Sequence, residues 1–288
     1  MIMSIGVISA VTSADGTSIG YRMIGQGPGL VILHGAMESA TSHSELAAEV
    51  GDSHTVYLPD RRGRGMSGPH RANHDINTEV DDLAAVLAAT SATDVLGVSS
   101  GAVIALEASL RLPQLHRVAI FEPPLIVGDS LSTSFVARYR EELGRGDLPS
   151  ALVTGMKGSK MGPAIFAYLP RPLLRALTVA AMRREERALG PNQVSMRMLA
   201  PTLDYDFGLV EQARDRLDVY AGIPAEVLLL GGASSPAYLR TAMDALADAL
   251  PTARRITFPK LGHGATGNAR FGGKPAVVAR PLREFFSD

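Results

Sequence analysis

The sequence predicts an α/β protein whose sheet is mostly parallel and covered by helices on both faces. Three observations predict it. Between residues 30 and 121 strand-like and helix-like segments alternate, the order that builds a parallel sheet. Leu30, Val31, Ile32 and Leu33 form an unbroken apolar run, as a strand buried on both faces requires. Residues 94–110 read as strand, sharp turn and helix with no spacer between them.

Composition narrows the function. At 288 residues and 46% hydrophobic, the chain is long enough for one large domain or for a core with a smaller inserted one. Lys and Arg number 28 against 29 Asp and Glu, a formal charge of -1. No net positive field results, so neither nucleic acid nor a membrane surface is expected as a partner. Cys is absent, which excludes a disulfide framework, a thiol nucleophile and a thiolate metal site, and fits a cytoplasmic protein. Met1 to Val11 is apolar but lacks a basic lead, and Gly6, Ser9 and Thr12 interrupt it. We expect a first strand there rather than a signal or a membrane span.

The elements follow in order. Residues 5–11 and 18–24 read as strands around the turn residues Ala14, Asp15, Gly16 and Thr17, an N-terminal hairpin. The strand at 30–33 ends in His34-Gly35-Ala36-Met37. A helix is expected at 44–50 and a strand at 55–58, followed by the polar turn Pro59-Asp60-Arg61-Arg62-Gly63-Arg64-Gly65-Met66-Ser67-Gly68. Asn77 or Thr78 is expected to cap the next helix, in which Val80, Leu83, Val86 and Leu87 recur at helical spacing. Strands at 94–98 and 117–121 flank the helix at 102–110. Beyond Pro123 the strand pattern stops until 226–230. Helices are expected at 135–143, 171–189 and 208–220, separated by Gly and Pro breaks at 144, 146, 149, 162, 163, 190, 191 and 201. An unstructured connection this long is improbable within a compact domain, so residues 123–222 are expected to form an inserted helical unit. A helix at 236–250, a last strand at 255–258 and a closing helix at 276–286 complete the chain.

Gly97-Val98-Ser99-Ser100-Gly101 spells Gly-x-Ser-x-Gly where a strand enters a helix. A serine on so tight a turn is strained and exposed above the sheet, and its small neighbours let strand and helix approach. The helix N-terminus offers backbone N–H groups to a developing oxyanion. Ser99 is therefore the expected nucleophile; the competing reading is a chance match in a glycine-rich chain.

These motifs, His34-Gly35, residues 60–67, 97–101 and Gly262-His263-Gly264, taken together in this order, resemble the α/β-hydrolase superfamily. The resemblance covers nearly the whole chain apart from its middle. It implies an eight-stranded, mostly parallel sheet, a core made of residues 1–122 and 223–288, and a helical cap at 123–222. Met156, Met161, Phe166, Tyr168, Leu169, Met182, Met196 and Met198 are candidates to line an apolar pocket under that cap, or to form the cap's own core.

A serine needs a base within reach. Of the seven His, the resemblance selects His263 as that base. It gives His34 and Gly35 a part in shaping the oxyanion loop, and the backbone N–H groups of Ala36 and Ser100 the oxyanion hole. His43, His54, His70, His74 and His116 are expected on the surface or in loops. No metal site is expected, because no carboxylate is evident beside a helical pair of His and His70 with His74 lies in loop material. The usual orienting Asp after the seventh strand is missing, since that loop reads Gly231-Gly232-Ala233-Ser234-Ser235-Pro236. Glu122, at the end of the sixth strand, is the expected substitute, an arrangement similar to that of zearalenone-type lactonases. Asp204, Asp206 and Asp244 are the other candidates for the acid. Asp60 is expected to fix its turn.

The expected activity is hydrolysis of a carboxylic ester or lactone of a small, largely apolar molecule, with no cofactor. A lyase, a perhydrolase or a ligand-binding protein without turnover are the alternatives on the same fold. The oligomeric state, a homodimer included, stays open.

Overall fold

The computed structural model describes residues 6–162, 164–190 and 193–287. Ile5, at the start of the expected first strand, and the breaks expected at Pro163 and Pro191 lie outside them. The strands are β1 (Val7–Thr12), β2 (Ser18–Gly25), β3 (Gly29–Leu33), β4 (Thr55–Pro59), β5 (Asp94–Val98), β6 (Arg117–Phe121), β7 (Glu226–Gly232) and β8 (Arg254–Phe258). They form one eight-stranded sheet in the order β1-β2-β4-β3-β5-β6-β7-β8. β2 runs antiparallel to β1 and β4, and the remaining pairs are parallel.

The helices are α1 (Ser44–Val50), α2 (Ile76–Thr90), α3 (Ser100–Arg111), α4 (Phe135–Gly144), α5 (Leu148–Gly158), α6 (Arg171–Ala188), α7 (Met196–Leu199), α8 (Leu203–Gln212), α9 (Leu217–Tyr220), α10 (Ala237–Ala249) and α11 (Pro275–Ser287). Side chains alternate across the pleat and so make two cores. Val31, Val95, Ile120 and Leu229 pack with α2, α3 and α10 on one face, while Ile32, Leu96, Phe121 and Leu230 pack with α1 and α11 on the other. Each such fully buried side chain contributes about 1.5–3 kcal/mol. The parallel strands thereby bring the ends of β3, β5, β6, β7 and β8 to one rim, where ligands of open α/β sheets bind.

Three details of the sequence reading are corrected. Asp75 caps α2, its carboxylate accepting from Thr78 N at 2.9 Å. A helix, α5, stands where only breaks were expected. Pro149 falls in its first turn, where a missing N–H does no harm, and Asp147 caps it by accepting from Ser150 N. The single helix expected at 208–220 is instead α8 and α9, and Asp215 between them has a φ of 57°. Among the described residues, the segment between β6 and β7 contains no strand.

Candidate active site

Ser99 occupies the turn between β5 and α3 with φ 55° and ψ −122°, a strained conformation for a residue with a side chain. The turn is held because Ser99 N donates to Phe121 O at 2.9 Å. Its glycines are steric necessities. A Cβ on Gly97 would stand 2.6 Å from Ala102 Cα, and one on Gly101 would stand 2.5 Å from Leu33 O.

Glu122 directly follows β6, at φ 46°, and is buried. Its Oε1 accepts from Gly232 N and from Ser235 Oγ, both at 2.6 Å, and its Oε2 lies 2.7 Å from His263 Nδ1. The carboxylate accepts a hydrogen bond from Nδ1–H, which leaves Nε2 of His263 as the free nitrogen. The glycine-rich loop after β7 thus makes room for this carboxylate: a Cβ on Gly231 would come to 3.2 Å from Glu122 Oε1. Ser235 was not singled out from sequence; a hydroxyl opposite a buried acid is visible only in three dimensions. The competing carboxylates have other partners. Asp204 pairs with Arg140, Asp244 with Arg255, and Asp206 with Arg61 and Arg64.

The loop after β3 packs against Ser99 so closely that a Cβ on Gly35 would lie 2.8 Å from Ser99 Cβ. His34 is fully buried behind it, with Nδ1 donating to Gly35 O at 2.9 Å and Nε2 accepting from Arg61 N at 3.1 Å. Burial, with the charges of Arg64 and Arg61, lowers its pKa to about 3 and keeps the ring neutral. Asp60 holds the neighbouring turn by accepting from Ala40 N at 2.7 Å and Met66 N at 3.0 Å.

Ala36, Ser99, Ser100 and His263 line a common cavity of about 740 Å³. Met156, Met161, Phe166 and Met196 also line it. The other expected pocket residues divide differently: Met182 sits in a separate core cluster, Tyr168 and Met198 are exposed, and Leu169 is not in the wall.

A buried charge network adjoins the site, and sequence reasoning missed it. Arg61 binds Glu79 through Nε (3.0 Å) and Nη2 (2.8 Å), and its Nη1 reaches Asp206 at 2.8 Å and Ser100 Oγ at 3.1 Å. Ser100 Oγ donates to Asp206 at 2.8 Å, and Arg64 binds the same carboxylate at 2.6 Å. Burial alone would raise the Asp206 pKa, but Arg64 and Arg61 outweigh it and hold the group ionised. The one sequence signal was three arginines in a turn that directly follows a strand.

Two expectations about histidines are corrected. His43 and His54 are buried, because the acceptors Thr266 O (3.0 Å) and Phe286 O (3.3 Å) meet their rings inside the core. The reason for expecting no metal site also fails in part, since α2 folds Glu79 back onto His70 and His74 and all three could face one ion. Glu79 is, however, already ion-paired to Arg61 on both of its oxygens. No metal role is assigned to the group.

A sequence model of the α/β hydrolase family matches residues 30–280. The chain belongs to the α/β hydrolase family. A structural relative is an α/β hydrolase from Sphaerobacter thermophilus that is 30% identical, covering 96% of this chain and 100% of that one at a TM-score of 0.78. A pimeloyl-[acyl-carrier protein] methyl ester esterase of Xanthomonas campestris is 27% identical over 275 residues, 91% of this chain and 96% of the esterase. YraK of Bacillus subtilis, an uncharacterised hydrolase, is 32% identical over 118 residues, 39% of this chain. The match spans 43% of YraK's own length, less than half. Among the described residues, no helix of this chain is long and apolar enough to cross a membrane.

Proposed function

We propose that this α/β hydrolase cleaves a carboxylic ester or lactone of a small, largely apolar substrate through an acyl-enzyme on Ser99. The observation that carries the reading is the contact between Glu122 and His263 beside a cavity that Ser99 shares. Nε2 of His263 takes the Ser99 proton as Oγ attacks the acyl carbon, and returns it to the departing alcohol. Water then repeats the sequence and releases the acid. Glu122 holds the imidazole in the tautomer that leaves Nε2 free and stabilises its charged form. The backbone N–H groups of Ala36 and Ser100 receive the oxyanion. Residues 123–222 act as a cap that supplies most of the apolar wall and keeps water from the acyl group. The Xanthomonas esterase, alike over nearly its full length, supports ester chemistry. The binding-protein alternative drew on the missing carboxylate after β7; the contact of Glu122 with His263 favours turnover over it.

Intact-mass spectrometry after exposure to a fluorophosphonate tests this reading. One adduct is expected on the wild type, none on Ser99→Ala, and slower labelling on Glu122→Gln. A wild-type protein that stays unlabelled while turning over no ester would overturn it.

A further inference from the structure

Glu38 is a carboxylate in the cavity wall whose charge no part of the reaction above uses. Its Oε2 accepts from Gly35 N at 2.7 Å and lies 3.1 Å from His43 Nε2. His43 is fully buried, and its Nδ1, 3.0 Å from Thr266 O, must carry a proton to make that bond. With Nε2 facing a carboxylate, the ring is an imidazolium. Burial works against both charges, yet each holds the other: the Glu38 pKa falls to about 2 and that of His43 rises. Glu38 is thus ionised, with its charge balanced from behind.

The other acids at the site have their oxygens engaged. Glu122 is bound on both, and Asp206 accepts from Arg61 and Ser100 on one oxygen and from Arg64 on the other. Oε1 of Glu38 has no hydrogen-bond partner among the described residues, and the Glu38 side chain is 29% exposed. It is also near the nucleophile. The position a Cβ on Gly35 would take is 2.8 Å from Ser99 Cβ and 3.2 Å from Glu38 Oε2, so no more than about 6 Å separates the two. No Lys or Arg lines the cavity among the described residues.

We propose that Glu38 is a specificity-determining residue: its free Oε1 favours acyl groups that carry a hydroxyl or amino group close to the scissile carbonyl, and disfavours those that carry a carboxylate there. A donor at that place gains a hydrogen bond to a charged acceptor in a largely apolar cavity, where such bonds are strong. A carboxylate there has no proton to share with Oε1 and finds no Lys or Arg in the wall to offset its lost hydration. The inference rests on Ser99 being the nucleophile.

The test uses three ethyl esters of similar size: butanoate, 3-hydroxybutanoate and the monoester of succinate, with hydrolysis followed by titration of released acid. Substituting Glu38 also disturbs the Gly35 loop and slows all three, so the readout is the ratio of kcat/KM values, from which a uniform loss cancels. In Glu38→Met the preference for 3-hydroxybutanoate over butanoate is expected to fall about tenfold. In Glu38→Gln the discrimination against succinate is expected to relax about tenfold. Ser99-dependent turnover with ratios unchanged in both variants overturns this inference alone. A wild type that prefers the succinate monoester to butanoate does the same without any substitution. Butanoate hydrolysis that survives Ser99→Ala, or no turnover of any of the three by a wild type that also takes no fluorophosphonate adduct, overturns the Ser99 reading and this one with it.

Discussion

Glu122 Oε2 and His263 Nδ1 lie 2.7 Å apart although 141 residues separate them in the chain. An amide in place of the carboxylate keeps the size of the side chain but loses the charge that stabilises an imidazolium. Glu122→Gln is therefore expected to lower kcat by about 10²–10⁴-fold with a smaller change in KM. Steady-state kinetics on any accepted ester decide it; full rate in the variant would mean that another group orients His263.

Gly101 sets how closely α3 approaches the end of β3. A Cβ placed 2.5 Å from Leu33 O and 2.6 Å from His34 O forces the backbone apart. Gly101→Ala is expected to lose about 1–3 kcal/mol of stability, read as a lower midpoint in urea unfolding. An unchanged midpoint would contradict the packing described at this turn.

Asp206 ties α8 to the core through Arg61, Arg64 and Ser100. Removing it strands buried guanidinium charge, as Arg64 is fully buried. Asp206→Ala should cost about 3–5 kcal/mol. Adding Arg64→Met should recover part of the loss, because the uncompensated charge goes with it. Purely additive losses in the double variant would refute the coupling.

His34 gives stability a defined pH dependence. Its folded pKa, about 3, is below the ordinary value of 6.5. The unfolded chain therefore binds a proton that the folded protein refuses, so this contribution is complete above pH 6.5 and is lost as pH falls towards 3. His34→Gln keeps an acceptor for Arg61 N but does not titrate. Its stability should vary less steeply with pH across that window, whatever its absolute level. Parallel curves for the two proteins would exclude the effect.

Much of this was legible in the sequence because it depends on local pattern. The apolar runs of β3, β5 and β7, the glycines around Ser99 and the length of the segment after Pro123 state their structure within a few residues of themselves. Glu122 was named for a different reason: the loop after β7 offers no acid, and the family resemblance implies a carboxylate at the neighbouring strand end as the alternative, a residue that lies 2.7 Å from His263 Nδ1. What stayed hidden depends on distance. Asp206 looks like any helix-surface acid until α8 brings it to Arg61, and His43 looks like a loop histidine until Thr266 closes over it. The division of residues 203–220 into two helices was missed because Asp215 gives no local sign of its positive φ. Which apolar residues of α5 to α7 face the cavity follows from how the helices rotate against one another, which spacing alone leaves undetermined.

Glu122 directly follows the strand next to the one that leads into Ser99, and Ser99 N is bonded to the last carbonyl of that neighbouring strand. Two of the three positions proposed to react are therefore parts of one stiff block at the centre of the sheet, while the third hangs from β8 at its edge. Motion or mutation at that edge is expected to alter timing through His263 alone. Within the Ala233–Pro236 turn only the Ser235 side chain touches the Glu122 carboxylate, so the exposed Ala233 and Ser234 leave natural variation or protein engineering room to change this corner without disturbing that contact.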